Sequence, residues 1–204
     1  MALAKIYNET ISESDYLQGE LISEVKHELI DGYAYAMAGA SISHNRIVTN
    51  ITGEFHSSLK NTPCEPFSSD MKVKVADNFY YPDSMVVCDQ KSNDFGITDA
   101  PLIIVEVLSK STRRIDHTLK RTAYQQLPSL QEYVIIEQDL VDIEVCRRNK
   151  HWQSEHYYLG DDVFFGSINL NLSVVDIYDR VVNSDIHDYL EKLKEEDQSS
   201  IIDK

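Results

Sequence analysis

Two periods of apolar repetition alternate along the chain, and the switches between them mark the elements. Ile47, Ile51, Phe55 and Leu59 recur at i, i+4 spacing, which predicts a helix opening at Ser43-His44-Asn45 and running to Lys60. Asn61-Thr62-Pro63 stops it. Before it, KHELIDGYAYAMA alternates around Asp31-Gly32, the dipeptide of a tight hairpin turn. Further upstream, Thr10 and Glu13 stand at capping-box spacing and predict a short helix over ISESDYL. After the long helix three strands are expected, over residues 66–75, 79–88 and 102–108. In the first, Met71, Val73 and Val75 share a face opposite Lys72 and Lys74. The polar stretch 89–99 is expected as an exposed loop.

A second helix is predicted over 112–126, with an apolar stripe of Ile115, Leu119, Thr122, Ala123 and Leu127, stopped by Leu127-Pro128. EYVIIEQ at 132–138 has the composition of a buried strand. Residues 141–147 and 151–158 read as an antiparallel pair, followed by a strand and short helix in INLNLSVVDIYDRV. No repeat or Pro/Gly-rich linker divides the chain, so residues 1–184 are expected as one α/β domain. Residues 185–204 are expected as an acidic C-terminal helix or frayed tail.

Against this background two carboxylates stand out. Glu106 interrupts the apolar run LIIVEVL, and an ionised group in a strand buried on both faces needs a compensating partner. Asp83, in FYYPDSMVVC, follows Pro82 and shares strand parity with Met85 and Val87, as Glu106 does with Leu102 and Ile104. Successive strands usually neighbour one another, so the two acids can converge, and a hard divalent cation is the natural compensation. Lys120 lies about 12 Å along the following helix, and Glu106 about 10 Å back along its strand. The ammonium can therefore come level with both acids, forming a cluster able to hold a metal and orient water or offset phosphoryl charge.

Composition narrows the function classes. The longest apolar stretches are too short to cross a bilayer, and the N-terminus lacks a signal-peptide pattern, so a cytoplasmic protein is expected. Three widely spaced cysteines without C-x-x-C predict reduced thiols in a cytosolic protein, and seven scattered glycines leave no nucleotide-cradling loop. The net charge of -15 argues against nucleic-acid binding by bulk charge. Its distribution changes that reading: residues 110–124 carry +4, with Lys110, Arg113, Arg114, Lys120 and Arg121 against Asp116, so the remainder holds -19. Arg113, Arg114 and Arg121 are the candidate phosphate contacts, and weak, salt-sensitive, metal-assisted DNA engagement is expected. Asp70 is a weaker candidate acid, and His151 and His156 lack metal-ligand spacing and read as surface residues.

PDSMVV and then EVLS, with 22 residues between Asp83 and Glu106, resemble the PD-(D/E)XK nuclease superfamily. The ordered series HELIDGYAYAMAGAS, SHN, FSSDMKV, YYPD, IIVEVLSKST, Asp116 with Lys120, and LPSLQEYVII is similar to the Uma family of restriction-like endonucleases. The resemblance implies a restriction-endonuclease-like fold, a central mixed sheet flanked by helices with an αβββαβ core, an N-terminal hairpin and a C-terminal antiparallel extension. It also implies Mg²⁺-dependent (or Mn²⁺-dependent) hydrolysis of DNA phosphodiesters, with Asp83 and Glu106 as metal ligands. Val107 and Leu108 occupy the places of the superfamily's x and K, so the strand lysine is missing and Lys120 is its candidate replacement. Glu28 in HELIDG and His44 in SHN match family positions and are additional site candidates, Glu28 as a further ligand or base and His44 as a phosphate contact. The alternatives are a non-cleaving nucleic-acid-binding or regulatory protein on a nuclease fold, and a phosphoesterase for small nucleotides. Such folds often dimerise, and the 141–158 hairpin is the candidate homodimer interface.

Overall fold

The alternation around Asp31-Gly32 folds as a hairpin, β2 (His27–Ile30) against β3 (Tyr33–Ala36), in the computed structural model of the chain. Both turn residues take positive φ, as a two-residue turn of this hand requires. The structure describes residues 4–5, 9–37, 39–91, 95–109, 113 and 116–202, without the side chains of 4–5 and 195–202. The short strand β1 (Ala4–Lys5) pairs with β3.

Helix α1 (Glu13–Glu20) is capped by Ser12, whose hydroxyl accepts from the Asp15 amide, and not by Thr10. Thr10 instead packs against the Gly32 turn, its methyl 3.1 Å from where a Cβ would stand. Helix α2 (Ile42–Ser58) follows the predicted stripe: Ile47, Ile51, Phe55 and Leu59 are all buried.

Two of the three predicted strands are each broken in half. The first becomes β4 (Cys64–Ser68) and β5 (Lys72–Val75), separated where Ser69 adopts φ +48°. The second becomes β6 (Asn78–Tyr80) and β7 (Ser84–Cys88), separated at Tyr81-Pro82-Asp83, where Pro82 offers no amide to a ladder. The halves serve different sheets, which periodicity within a strand cannot reveal. The third strand is β9 (Pro101–Leu108), and the expected loop before it contains a short strand, β8 (Ile97–Thr98).

A π-helical turn, Asp116–Lys120, runs into α-helical Arg121–Tyr124; together they are α3. Strands β10 (Glu132–Glu137), β11 (Ile143–Arg147) and β12 (Ser154–Tyr157) follow as predicted, then the hairpin β13 (Asp162–Phe165)–β14 (Leu170–Ser173). Helix α4 (Val174–Ile177) and the long α5 (Ser184–Ile202) end the chain.

One six-stranded sheet has the order β1-β3-β2-β6-β5-β8 and the other β12-β11-β10-β9-β7-β4. The αβββαβ core is thus α2, β4, β7, β9, α3, β10, with β9 and β10 parallel across the α3 crossover. Strand parity divides the second sheet's faces. Ile103, Val105 and Val107 pack with α2 and the β13–β14 hairpin; Ile104 and Leu108 face the first sheet and α3.

Cys64 and Cys88 are directly opposed in the β4–β7 register and form a disulfide, correcting the expectation of reduced thiols. Only strand pairing brings together two cysteines 24 positions apart, and the bridge removes the thiol argument for a cytosolic setting. Cys146 is free and buried. Closing a loop of this size stabilises by about 3 kcal/mol in the chain-entropy estimate. Reduction with a dithiol is therefore expected to lower the urea midpoint measurably while the Cys64→Ser/Cys88→Ser variant becomes insensitive to reductant. Equal midpoints in oxidised and reduced wild type would contradict the bridge.

Candidate active site

Asp83 and Glu106 meet through strand register. Ser84 lies opposite Val105 in the antiparallel β7–β9 pair, so the preceding Asp83 comes beside Glu106 on the next step. Asp83 Oδ2 accepts the Val107 amide at 2.7 Å, which fixes it at the point where β7 leaves the ladder. Glu106 lies toward the layer between the sheets, as parity predicts, whereas Asp83 sits in the corner before β7 and meets His44 of α2.

Lys120 enters from α3. Its ammonium lies 2.9 Å from Glu28 Oε1, 3.2 Å from Glu106 Oε1 and 3.4 Å from Asp116 Oδ1. It is only 5% exposed, so it is no solvated helix-edge lysine. The predicted stripe put Lys120 at the margin of the buried face. The structure puts Asp116, Lys120 and Tyr124 at its centre and leaves Leu119 partly exposed; Ile115 lies outside the described residues. Carboxylates from both sheets compensate the ammonium and so permit this rotation. The π turn places Asp116 and Lys120 on one side, and the Tyr133 hydroxyl holds it by donating to the Asp116 carbonyl at 3.0 Å.

The remaining members come from β2 and α2. Glu28 Oε1 accepts the Tyr81 amide at 3.1 Å, joining the hairpin to the Tyr81-Pro82-Asp83 corner. His44 sits in the first turn of α2, where the Ser41 cap accepts its amide at 3.1 Å, and its Nε2 lies 3.1 Å from Asp83 Oδ2. Ser41 also donates to Gln138, which in turn donates to the Leu108 carbonyl at 2.7 Å, tying this helix end to β9 and β10. His44 and Asp83, with side chains 12% and 17% exposed, are the site's outlet to solvent.

Electrostatics follow from burial and crowding. Burial pushes the Glu106 carboxyl well above the usual range; Lys120 opposes this, while Asp116, Asp83 and Glu28 reinforce it. Burial opposes the Lys120 charge, but Glu106, Glu28 and Asp116 outweigh it and hold the ammonium protonated. For His44 the Asp83 hydrogen bond and the Asp83 and Asp116 charges outweigh burial, raising its pKa. Tyr124, whose hydroxyl donates to Glu106 Oε1 at 2.9 Å, is held neutral by burial and by that acid.

Of the sequence candidates, Glu28, His44, Asp83, Glu106 and Lys120 converge; the two described arginines do not. Arg113 pairs with Glu137 and Arg121 with Glu144, each at 2.6 Å. Both phosphate candidates are thus held by carboxylates, and Arg121 is turned away from the site because it follows Lys120 by one residue, about 100° around the helix. Arg114 and Lys110 lie outside the described residues. Asp70 stands outside the cluster, paired with Lys26. His156 binds Asp142 at the surface, and His151 occupies a left-handed turn position. Tyr124 and the Tyr81 amide are not among the sequence candidates, and Asp116 figures there only as the acid of the basic window and beside Lys120 in the motif series. The i, i+4 ladder Asp116-Lys120-Tyr124 was the available signal for the first and last.

The donors suit a hard divalent cation: Glu28, Asp83, Glu106 and Asp116 offer carboxylate oxygens, with one lysine to balance them. Asp116 Oδ1 is buried without a hydrogen bond, a sign of incomplete compensation. Glu28, Glu106 and Asp116 surround Lys120, and the four acids do not form a tight three-carboxylate cage. Among the described residues, the one trio of potential ligand atoms within 4.8 Å of one another is the exposed His187, Asp188 and Glu191 on α5.

The αβββαβ core within this mixed α/β architecture is a restriction-endonuclease-like fold. A solved structure described as a putative nuclease belonging to DUF820, from Anabaena variabilis, shares the fold: TM-score 0.70 at 19% identity, over 84% of this chain and 99% of that one. Residues 14–174 match the Uma2 family, described as "Putative restriction endonuclease". The chain belongs to that family. Two uncharacterized proteins of Synechocystis sp. (strain PCC 6803) are 35% and 33% identical, covering 82% and 70% of this chain and 91% and 80% of their own lengths. Among the described residues, no helix is long and apolar enough to cross a membrane.

Proposed function

We propose that the protein is a Mg²⁺-dependent endonuclease that hydrolyses DNA phosphodiester bonds, with Mn²⁺ as an alternative ion. The observation that carries this reading is the buried Lys120 ammonium shared by Glu28, Glu106 and Asp116 beside Asp83. Asp83 and Glu106 would hold the ion, two carboxylates being what Mg²⁺ usually takes from protein. Bound there, such an ion supplies Lewis acidity at phosphoryl oxygen and a more acidic water. Lys120 positions the attacking water and offsets charge on the pentavalent phosphorus. Glu28 and Asp116 hold the ammonium, and Tyr124 orients Glu106. His44, at the outlet, would donate to a phosphate oxygen through Nε2 in exchange for Asp83.

A second reading, a nuclease fold used for binding without cleavage, draws on the absent strand lysine and on Lys120 already neutralising part of the acid cluster. Calorimetric titration of Mg²⁺ into wild type and Glu106→Gln separates the two. Heat that vanishes in the variant is expected; binding unaffected by the substitution would remove Glu106 from the ligand set. Incubation of plasmid, oligonucleotide and mononucleotide phosphodiesters with Mg²⁺ or a chelator is expected to yield metal-dependent nicking of the polymers. Turnover restricted to mononucleotides would instead make the protein a small-nucleotide phosphoesterase. A homodimer through the β11–β12 hairpin belongs to the same proposal and predicts twice the chain mass in sedimentation.

A further inference from the structure

An acidic centre repels the phosphodiester it would cut, so the mouth needs an exposed cation. The two described arginines of the basic window are already paired with Glu137 and Glu144, and Lys120 is buried. Lys26 is differently placed. It precedes β2 by one residue, and its ammonium donates to the Ser69 carbonyl at 3.0 Å. The Ser69 amide donates to the Asp83 carbonyl at 3.3 Å, so Lys26 stands one residue of main chain away from the candidate metal ligand. The Tyr81 ring, two residues before Asp83, lies 5.8 Å from the same ammonium. Ser69 is held at φ +48°, a left-handed conformation that shapes the turn carrying its carbonyl and the neighbouring Asp70. Lys26 and Asp70 form an ion pair with side chains 43% and 83% exposed. Surface pairs of this kind contribute little, so exchanging the Asp70 carboxylate for another anion costs little.

The geometry points to Lys26 as the lysine that grips a backbone phosphate of the nucleic acid beside the cleaved bond, with Asp70 as an internal anion that the phosphate displaces. The inference rests on the nuclease reading above and adds to it a binding residue and its built-in competitor. A nucleic-acid phosphate is the anion expected there, because the proposed substrate is a chain of phosphodiesters and Lys26 stands beside the turn that bonds the Asp83 main chain. Lys26 therefore acts on substrate position and Asp70 on the threshold for engagement.

The test is a mutant cycle read by two assays: anisotropy of a fluorescein-labelled duplex with Ca²⁺ replacing Mg²⁺, and steady-state cleavage with Mg²⁺. Lys26→Ala is expected to raise Kd and KM about tenfold, with the loss confined to KM and the slope of log affinity against log salt reduced by about one. Lys26→Arg should restore most of the binding. Asp70→Asn is expected to tighten binding severalfold in the wild-type background and to do nothing when combined with Lys26→Ala. Equal tightening in both backgrounds would mean bulk charge only, and an indifferent Lys26→Ala would remove the residue from the path; either overturns the inference while wild-type cleavage leaves the nuclease reading standing. A wild type that neither binds nor cuts DNA overturns both.

Discussion

Exchanging Glu106 for glutamine is expected to abolish Mg²⁺-dependent cleavage of plasmid DNA, by at least about a hundredfold, while the fold becomes no less stable. Loss of an outer partner of a metal ligand alone costs 10- to 100-fold, approximately, and the ligand itself should cost more. The stability half follows from the direction of the Glu106 shift. Burial and three neighbouring acids raise its folded pKa, so the folded state favours the protonated form. The associated stability is fully present below the ordinary carboxylate range, about pH 4 to 5. It is lost as pH rises through the raised folded value. Above that value, metal-free wild type bears a buried charge that glutamine does not. Thermal melts in chelator should therefore show Glu106→Gln equal to or above wild type at pH 8, with the gap narrowing as pH falls toward 5. Asp83→Ala should likewise abolish cleavage with the fold retained. Full activity in both variants would remove these acids from the chemistry.

Replacing Lys120 by methionine has the largest expected cost in stability. Three buried carboxylates share this ammonium, and breaking a buried pair from one side costs about 3–5 kcal/mol because the remaining charge has nowhere to go. Urea denaturation at pH 8 should show a loss of that order, together with loss of cleavage. Adding Glu106→Gln to Lys120→Met should recover part of the stability, since one of the stranded charges is then removed, but none of the activity. A Lys120→Met protein as stable as wild type would place the ammonium in solvent and dissolve the proposed cluster. The double variant separates this charge effect from a simple packing defect, which Glu106→Gln would not relieve.

Both acids were legible in the chain because each violates its local pattern. Glu106 sits in an apolar run and Asp83 at a proline-marked strand start, and the pairing of successive strands lets them converge. Lys120 was legible as a distance but not as a burial: its helix reads more apolar through Leu119 and Ala123, and nothing local says that Glu28 and Glu106 wait opposite. The arginines show the reverse error. A +4 window looks like a phosphate track, yet Glu137 and Glu144 on separate strands hold two of its members.

The sequence by itself determined the elements with strong periodicity: α2, the Asp31-Gly32 hairpin, β9, β10 and the β11–β12 pair. It also determined that Glu106 requires compensation and, through the ordered motif series, which family the chain resembles. Tertiary structure alone decided that the first two of the three strands predicted after α2 split between sheets, that Cys64 faces Cys88, and that α3 turns Lys120 inward. The physical reason is common to all three. Periodicity reports which face of an element avoids water, whereas a disulfide, a strand's choice of sheet and a buried ammonium depend on what lies across the interface. Those partners stand tens of residues away, where no local pattern records them.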